Sequence, residues 1–314
     1  FKQKTAYEIY QCDWSSDVCS SALTLSGFRL IQKKPGVLLI WAGFGFLVFL
    51  AFVLVILITV GGALLSALEQ AGAVGQSPGT LLTAAGGIVG MLAIGLPVAL
   101  IVSAMYQAAA YRVILDPTAD RYGYLRLGMD ELRVALSTVV LVILIGVAVF
   151  IPAALFGVLG AALRGSPTLE FLFQGGGFLA VLVWMGFLIV RFSLAPVMTF
   201  AEKRIIVFES WGLTGPVFWR VAATYLLIFL LTLAVWLTLG FVGNALLFLG
   251  VGPELSTIIQ GRAPDLSHLG VGPVLAALIS VLLQLGIRVV MVAVTNVPAA
   301  SIYNQLKPQD AETF

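Results

Sequence analysis

Residues 26–66 read SGFRLIQKKPGVLLIWAGFGFLVFLAFVLVILITVGGALLS, a short basic opening followed by a run without a single charged side chain. An α-helix needs about 20 predominantly apolar residues to cross a hydrocarbon core, so the run from Pro35 onward is long enough to span a bilayer. Arg29, Lys33 and Lys34 stand directly before it, and Pro35 suits the first turn of the helix that follows, where a missing N–H costs nothing. The same layout recurs along the chain. Uncharged apolar runs lie between Lys34 and Glu69, Glu69 and Arg112, Arg133 and Arg164, Glu170 and Arg191, Arg220 and Glu254, and Asp265 and Arg288. Hydrophobic residues make up 60% of the chain and charged residues 10%, a balance that only a membrane solvent explains. The expected fold is an all-α integral membrane protein of six transmembrane helices, paired as three hairpins, each preceded by a short interfacial segment. The spans are expected at 36–66, 82–110, 134–162, 173–200, 221–249 and 272–302.

Residues 1–21, FKQKTAYEIYQCDWSSDVCSS, read differently. They resemble the conceptual translation of a sequencing-library adapter, whose codons match Lys2–Ile9 and, after a variable index, Asp13–Ser21. The segment is set aside as non-native and expected to be disordered, with the native beginning of the chain lost. Both cysteines, Cys12 and Cys19, lie in it. The remainder, a single membrane domain over 22–306 with a short tail at 307–314, therefore offers no thiol nucleophile, disulfide or thiolate metal site.

Orientation follows from Lys and Arg. Arg29, Lys33, Lys34, Arg112, Arg121, Arg126, Arg133, Arg191, Lys203, Arg204, Arg220 and Lys307 fall on one side of a six-span arrangement, against Arg164 and Arg262 on the other. The positive-inside rule places that richer side, and both termini, in the cytoplasm; the expected location is a bacterial inner membrane. An odd number of spans would scatter the same charges across both faces.

The three entry segments combine large apolar residues with charge. They are Ser26–Pro35, Tyr124–Arg133 and Glu209–Arg220, and they open hairpins of about 26–112, 122–204 and 209–305. In the second, Leu125, Met129 and Leu132 are expected on one helical face, with Arg126 and Asp130 as an i,i+4 pair. Arg29, Lys33, Lys34, Arg126, Arg133, Trp211, Trp219 and Arg220 are the expected interfacial anchors. The exits Tyr106–Arg112, Met198–Arg204 and Ala300–Gln305 also look alike, which suggests a threefold internal repeat. Copies of a two-span unit share one orientation, so an axis near the membrane normal must relate them.

The pattern Ser210-Trp211, Leu213-Thr214 and Trp219, opening a span after a cytoplasmic linker, resembles uncharacterised six-span bacterial membrane families. These include the membrane domain attached to some glycerophosphodiester phosphodiesterases. The likeness is one of layout over most of residues 26–306. It implies an architecture; residues 26–306 hold no counterpart of the phosphodiesterase catalytic domain, and no catalytic residue carries over.

Chemistry-bearing residues are sparse. His268, the one histidine, sits in an expected external loop with Glu254 and Asp265, without metal-ligand spacing. No phosphate-loop Lys-Ser/Thr follows Gly61-Gly62, Gly86-Gly87 or Gly175-Gly176-Gly177, and Gly86 with Gly90 reads as a GxxxG helix-packing contact. Asp116, Asp120, Asp130 and Glu131 read as a solvated face. Pro97, Pro152, Pro196 and Pro298 are expected to bend their spans. Asn244, Gln284 and Asn296 are expected to make interhelical hydrogen bonds.

Arg191 and Arg288 are the exception. Each lies inside an apolar segment near its cytoplasmic end, with no acidic residue in the spans to neutralise it. Snorkelling to the inner headgroups is the plainer reading, and a lipid or anion contact the sharper one. The leading functional expectation is a non-enzymatic protein that organises, senses or contacts membrane lipids. The alternative is a transporter, channel or lipid translocator with an anion or headgroup site near Arg191 and Arg288. A membrane enzyme finds no residue set. The expected partners are membrane lipids and other membrane proteins, with no nucleic acid, metal or cofactor.

Overall fold

The computed structural model describes residues 26–59, 78–118, 121–163, 165–259 and 270–306. Among them there is no strand; nine α-helices carry the chain. They are α1 Ser26–Lys33, α2 Pro35–Thr59, α3 Pro78–Leu115, α4 Met129–Ala162, α5 Pro167–Phe192, α6 Ala195–Glu202, α7 Glu209–Thr214, α8 Phe218–Ile259 and α9 Val271–Leu306. Six helical stretches, within α2, α3, α4, α5–α6, α8 and α9, are long and apolar enough to cross a membrane. The protein is thus a multi-pass helical membrane protein. Arg164, Arg262, His268, Asp265, Asp120, Lys307, Gly61-Gly62 and the 1–21 segment lie outside the described residues.

The chain divides into two compact units, one of Phe1–Arg29, Ala104–Phe229 and Val294–Phe314, the other of Leu30–Ser103 and Leu230–Ala293. In the first unit, a buried core gathers Ala104 and Tyr111 of α3, Val134 and Ala135 of α4, Leu194, Val197 and Met198 around the start of α6, and Ala299, Ala300, Ile302 and Tyr303 of α9. The exit ends of all three expected hairpins therefore converge. Pro35 opens α2 as expected, whereas Pro216 precedes α8 and is not in its first turn.

Hairpin α4–α5 shows how irregular points in a span are satisfied. Pro152 has no N–H, so the carbonyl of Ala148, four residues earlier, loses its helical donor. The indole Nε1–H of Trp184, on α5, donates to that oxygen at 3.0 Å. Pro97 and Pro298 also lie within continuous helices. Pro196 instead stands at the start of α6, just after Ser193 and Leu194 interrupt the span.

Close approach in this hairpin depends on glycines other than the expected pair. A Cβ at Gly177 would stand 2.6 Å from the Phe156 side chain, and one at Gly160 would stand 2.8 Å from Gln174. Gly86 and Gly90 are exposed, and the GxxxG spacing brings no described residue within 4 Å of such a Cβ.

In the second unit, Trp41 of α2 is fully buried, and Gly95 of α3 lies against the Phe52 ring of α2. The Ser280 hydroxyl of α9 donates to the Gly243 carbonyl of α8 at 2.7 Å. Two of the expected interhelical amides, Asn244 and Gln284, do otherwise. Asn244 donates to Gly240 in its own helix at 2.8 Å, and Gln284 to Ser280 at 3.2 Å. A side chain that reaches back one helical turn satisfies itself without a partner helix.

Replacing Gly177 with Ala should push Phe156 off its position and cost about 1–3 kcal/mol. Gly86→Ala, in open space, should leave stability unchanged or slightly raised. Thermal midpoints of the two variants in detergent check the contrast; equal midpoints would refute this account of the hairpin.

Candidate functional site: two arginines at the span ends

Two arginines of the first unit stack on aromatic rings at the ends of spans, yet their charges are treated in opposite ways. Arg112, in the last turn of α3, is 6% exposed, and Glu131, in the first turn of α4, is 2% exposed. They form a buried ion pair. Arg112 also donates to the carbonyl of Tyr124 at 3.1 Å, and its guanidinium lies 5.3 Å from the centre of the Phe200 ring. Glu131 was expected on a solvated face; the helix turns it inward because Arg112 waits there.

Between the two partners the chain folds through Tyr122, Gly123 and Tyr124, with φ of 53°, 64° and 66°. Left-handed backbone costs a residue with a Cβ roughly 1–2 kcal/mol, so two tyrosines there need compensation. Tyr124 is fully buried, its hydroxyl donates to the Pro117 carbonyl at 3.1 Å, and its own carbonyl is taken by Arg112. This turn also overturns the expected face of the second entry segment. Helix α4 starts only at Met129, so Leu125 lies outside it and is buried, while Met129 and Leu132 are exposed. Asp130 pairs with Arg133 at 2.8 Å, one turn on, and not with Arg126 across a helical turn.

Arg191, in the last turn of α5, has no carboxylate partner among the described residues. Its guanidinium carbon lies 5.3 Å from the Phe187 ring centre, 5.1 Å from that of Trp211 and 5.0 Å from that of Phe218. Phe187 sits one helical turn before it, and the other two rings arrive from α7 and the start of α8. Nη1 donates to the Trp211 carbonyl at 3.2 Å, and Nε is enclosed without an acceptor among the described residues. Three ring faces supply the negative potential that a cation requires when no carboxylate does.

The motif Ser210-Trp211-Gly212-Leu213-Thr214 builds this cage. The last carbonyls of a helix have no donor within it. Ser210 donates to the Arg191 carbonyl at 2.8 Å, while the Thr214 hydroxyl lies 3.4 Å from the same oxygen and donates to the Ser210 carbonyl at 2.8 Å. Both residues are fully buried. Thr199 of α6 accepts the Ile206 N–H and bonds its carbonyl, each at 3.1 Å, which closes the loop leading into α7. That loop turns at Lys203, φ 55°. Outside it, Arg204 bridges Glu202 and Glu209, and their contact, with the Glu202 hydrogen bond foremost, holds its guanidinium above the ordinary value.

Of the expected anchors, the structure brings Trp211 onto Arg191, with Trp219 edge-on to Phe218 at 5.3 Å. Arg29, Lys33, Lys34, Arg126, Trp219 and Arg220 are exposed, and Arg133 is half-buried. Arg288, exposed on α9, belongs to the second unit, so the two arginines that the sequence singles out occur in separate units. Phe187 and Phe218, overlooked in the sequence, were signalled only by position: four residues before the arginine, and one before Trp219. Among the described residues no group of three or more His, Cys, Asp or Glu is placed to hold a metal. No family model matches the sequence, no curated protein matches it, and no solved structure matches the fold.

Glu131→Leu strands the Arg112 charge and should cost about 3–5 kcal/mol, whereas adding Arg112→Met to it should recover most of that loss. Unfolding of both variants in mixed micelles reads the difference; a double variant as unstable as the single one would contradict it.

Proposed function

We propose that the protein is a multi-pass component of a bacterial inner membrane, with both termini cytoplasmic. It acts without catalysis, contacting and organising or sensing anionic lipids at the cytoplasmic headgroup level. The observation that carries this reading is Arg191. It is a cation at the end of a span, shielded by three aromatic rings and neutralised by no carboxylate among the described residues. An arginine kept in that state near a membrane surface is suited to a phosphate. The charge asymmetry of the connections supports the orientation, and exposed Trp211, Trp219 and Arg220 on the same stretch are the residue types that anchor at headgroups.

The likeness to the six-span families belongs with this reading. Its Ser210–Trp219 motif here caps a helix end and covers an arginine, which is structural work and needs no catalytic domain. Polar groups within the spans also favour lipid contact over solute passage, because Thr238, Asn244 and Ser280 are spent on backbone carbonyls. The transport alternative rests on Arg191 together with Arg288, which is exposed on α9.

Purified protein should retain phosphatidylglycerol over phosphatidylcholine in native mass spectrometry. Arg191→Leu should lose most of that preference and Arg288→Leu little of it. An unchanged preference in Arg191→Leu would overturn the lipid reading, and substrate-dependent flux in liposomes that needs Arg288 would favour transport. In a variant lacking Cys12 and Cys19, Trp219→Cys should react with a membrane-impermeant maleimide in inverted vesicles and not in intact cells; the reverse pattern would invert the topology.

A further inference from the structure

The face of α5 that leads to Arg191 carries a shallow apolar groove of about 540 Å³, lined by Leu179, Ala180, Val183, Trp184 and Phe187. These positions follow the i, i+1, i+4, i+5, i+8 spacing of one helical face, and Arg191 continues it four residues later. With a rise of 1.5 Å per residue, the guanidinium-bearing residue stands about 6 Å beyond Phe187 and about 18 Å beyond Leu179 along the axis. Phe187 is shared: it lines the groove and forms one wall of the arginine's cage. Trp184 stacks on it with ring centres 5.6 Å apart and is held in place by its bond to the Ala148 carbonyl. The groove floor is therefore tied to the carbonyl that Pro152 leaves without a donor on the neighbouring helix.

We propose that this groove and Arg191 form one binding site for a single anionic glycerophospholipid, with an acyl chain lying along α5 from Phe187 toward Leu179 and the phosphate on the guanidinium. The proposal rests on the lipid reading above and adds to it a place and an orientation. Charge complementarity selects the occupant. An apolar chain alone would be satisfied by any lipid, but the groove ends at a cation that lacks a counter-ion among the described residues. Nη1 is committed to the Trp211 carbonyl, while Nη2 and Nε have no acceptor there. A phosphate oxygen that accepts from a guanidinium N–H makes a charge-assisted hydrogen bond. Nε is enclosed, so a phosphate oxygen meets Nη2 first. Trp211 and Phe218 flank the arginine from α7 and α8, which places the headgroup beside Trp211.

The test uses the full-length protein in nanodiscs containing a trace of phosphatidylglycerol with a diazirine partway along one acyl chain, and the matching phosphatidylcholine probe. Photo-crosslinks should map to the peptide spanning residues 179–187, and the anionic probe should label it on the order of tenfold more than the zwitterionic one. Arg191→Gln should erase that preference and Arg191→Lys should keep part of it. Ala180→Trp, which fills the groove, should remove the acyl crosslink while the native-mass preference for phosphatidylglycerol persists through Arg191. Equal labelling by the two probes, or labelling spread evenly over all spans, overturns the site. If Arg191→Gln abolishes lipid retention but no crosslink ever reaches 179–187, the headgroup reading stands and the groove is refuted. Inorganic phosphate at millimolar concentration should not displace the probe; displacement would mean that the anion alone is the ligand, and would also refute the groove.

Discussion

A carbonyl oxygen that loses its helical donor at membrane depth has no water to turn to, and the first unit is organised around finding it another. The Ala148 carbonyl, orphaned by Pro152, takes the indole N–H of Trp184. The Arg191 carbonyl, near the break at Ser193–Leu194, takes the hydroxyl of Ser210. The Tyr124 carbonyl, in the buried left-handed turn between α3 and α4, is likewise satisfied by a distant donor, Arg112. An unsatisfied group in hydrocarbon costs several kcal/mol, on the order of a quarter to a half of a typical domain's net stability. Each of these bonds joins separate elements, so the same contacts that satisfy the backbone also tie α3 to the turn before α4, α4 to α5, and α5 to α7.

The two aromatic-stacked arginines then differ in how their charges are balanced. Arg112 has Glu131, a buried partner, and its bond to the Tyr124 carbonyl closes the loop between α3 and α4. A paired buried ion is inert toward ligands because any incoming anion must displace a carboxylate already desolvated beside it. Arg191 is solvated by ring faces instead. Cation–π attraction is worth about 0.5–2 kcal/mol per ring, enough to hold the guanidinium near the apolar phase and too little to saturate it. The same geometry explains why this arginine is tolerated near a span and why it stays available.

How much of this could be read in advance depends on the kind of signal. Charge-free runs mark spans because no other solvent accommodates them, and six long helices appear where six runs stand. Arg191 stood out because an arginine inside such a run is rare. What was illegible is register. Glu131 and Asp130 are neighbours, both near a helix start, and nothing local says that one pairs with a residue 19 positions earlier while the other meets Arg133. The Gly86–Gly90 spacing fits a packing motif better than Gly160 and Gly177, yet the latter two face another helix. A spacing rule describes one helix; packing is a property of two. The left-handed turn at Tyr122–Tyr124 was hidden for a similar reason, since tyrosine alone would not adopt it and the residues that compensate lie elsewhere.

The Ser210–Thr214 segment shows how a weak motif acquires physical content. In sequence it is two hydroxyls and a tryptophan before a span. In the fold, the hydroxyls occupy the helix end that the break at Ser193–Leu194 exposes, and only then does Trp211 come to rest over Arg191. The cap and the cage share residues, so α7 cannot leave without uncovering both a carbonyl and a cation. A segment of six residues is too short to hold itself as an isolated helix. It is held by what it caps, which couples any change in charge at Arg191 to the docking of α7. An anion arriving at the guanidinium would strengthen that docking, and a displaced α7 would weaken anion binding by the same factor, as linkage requires.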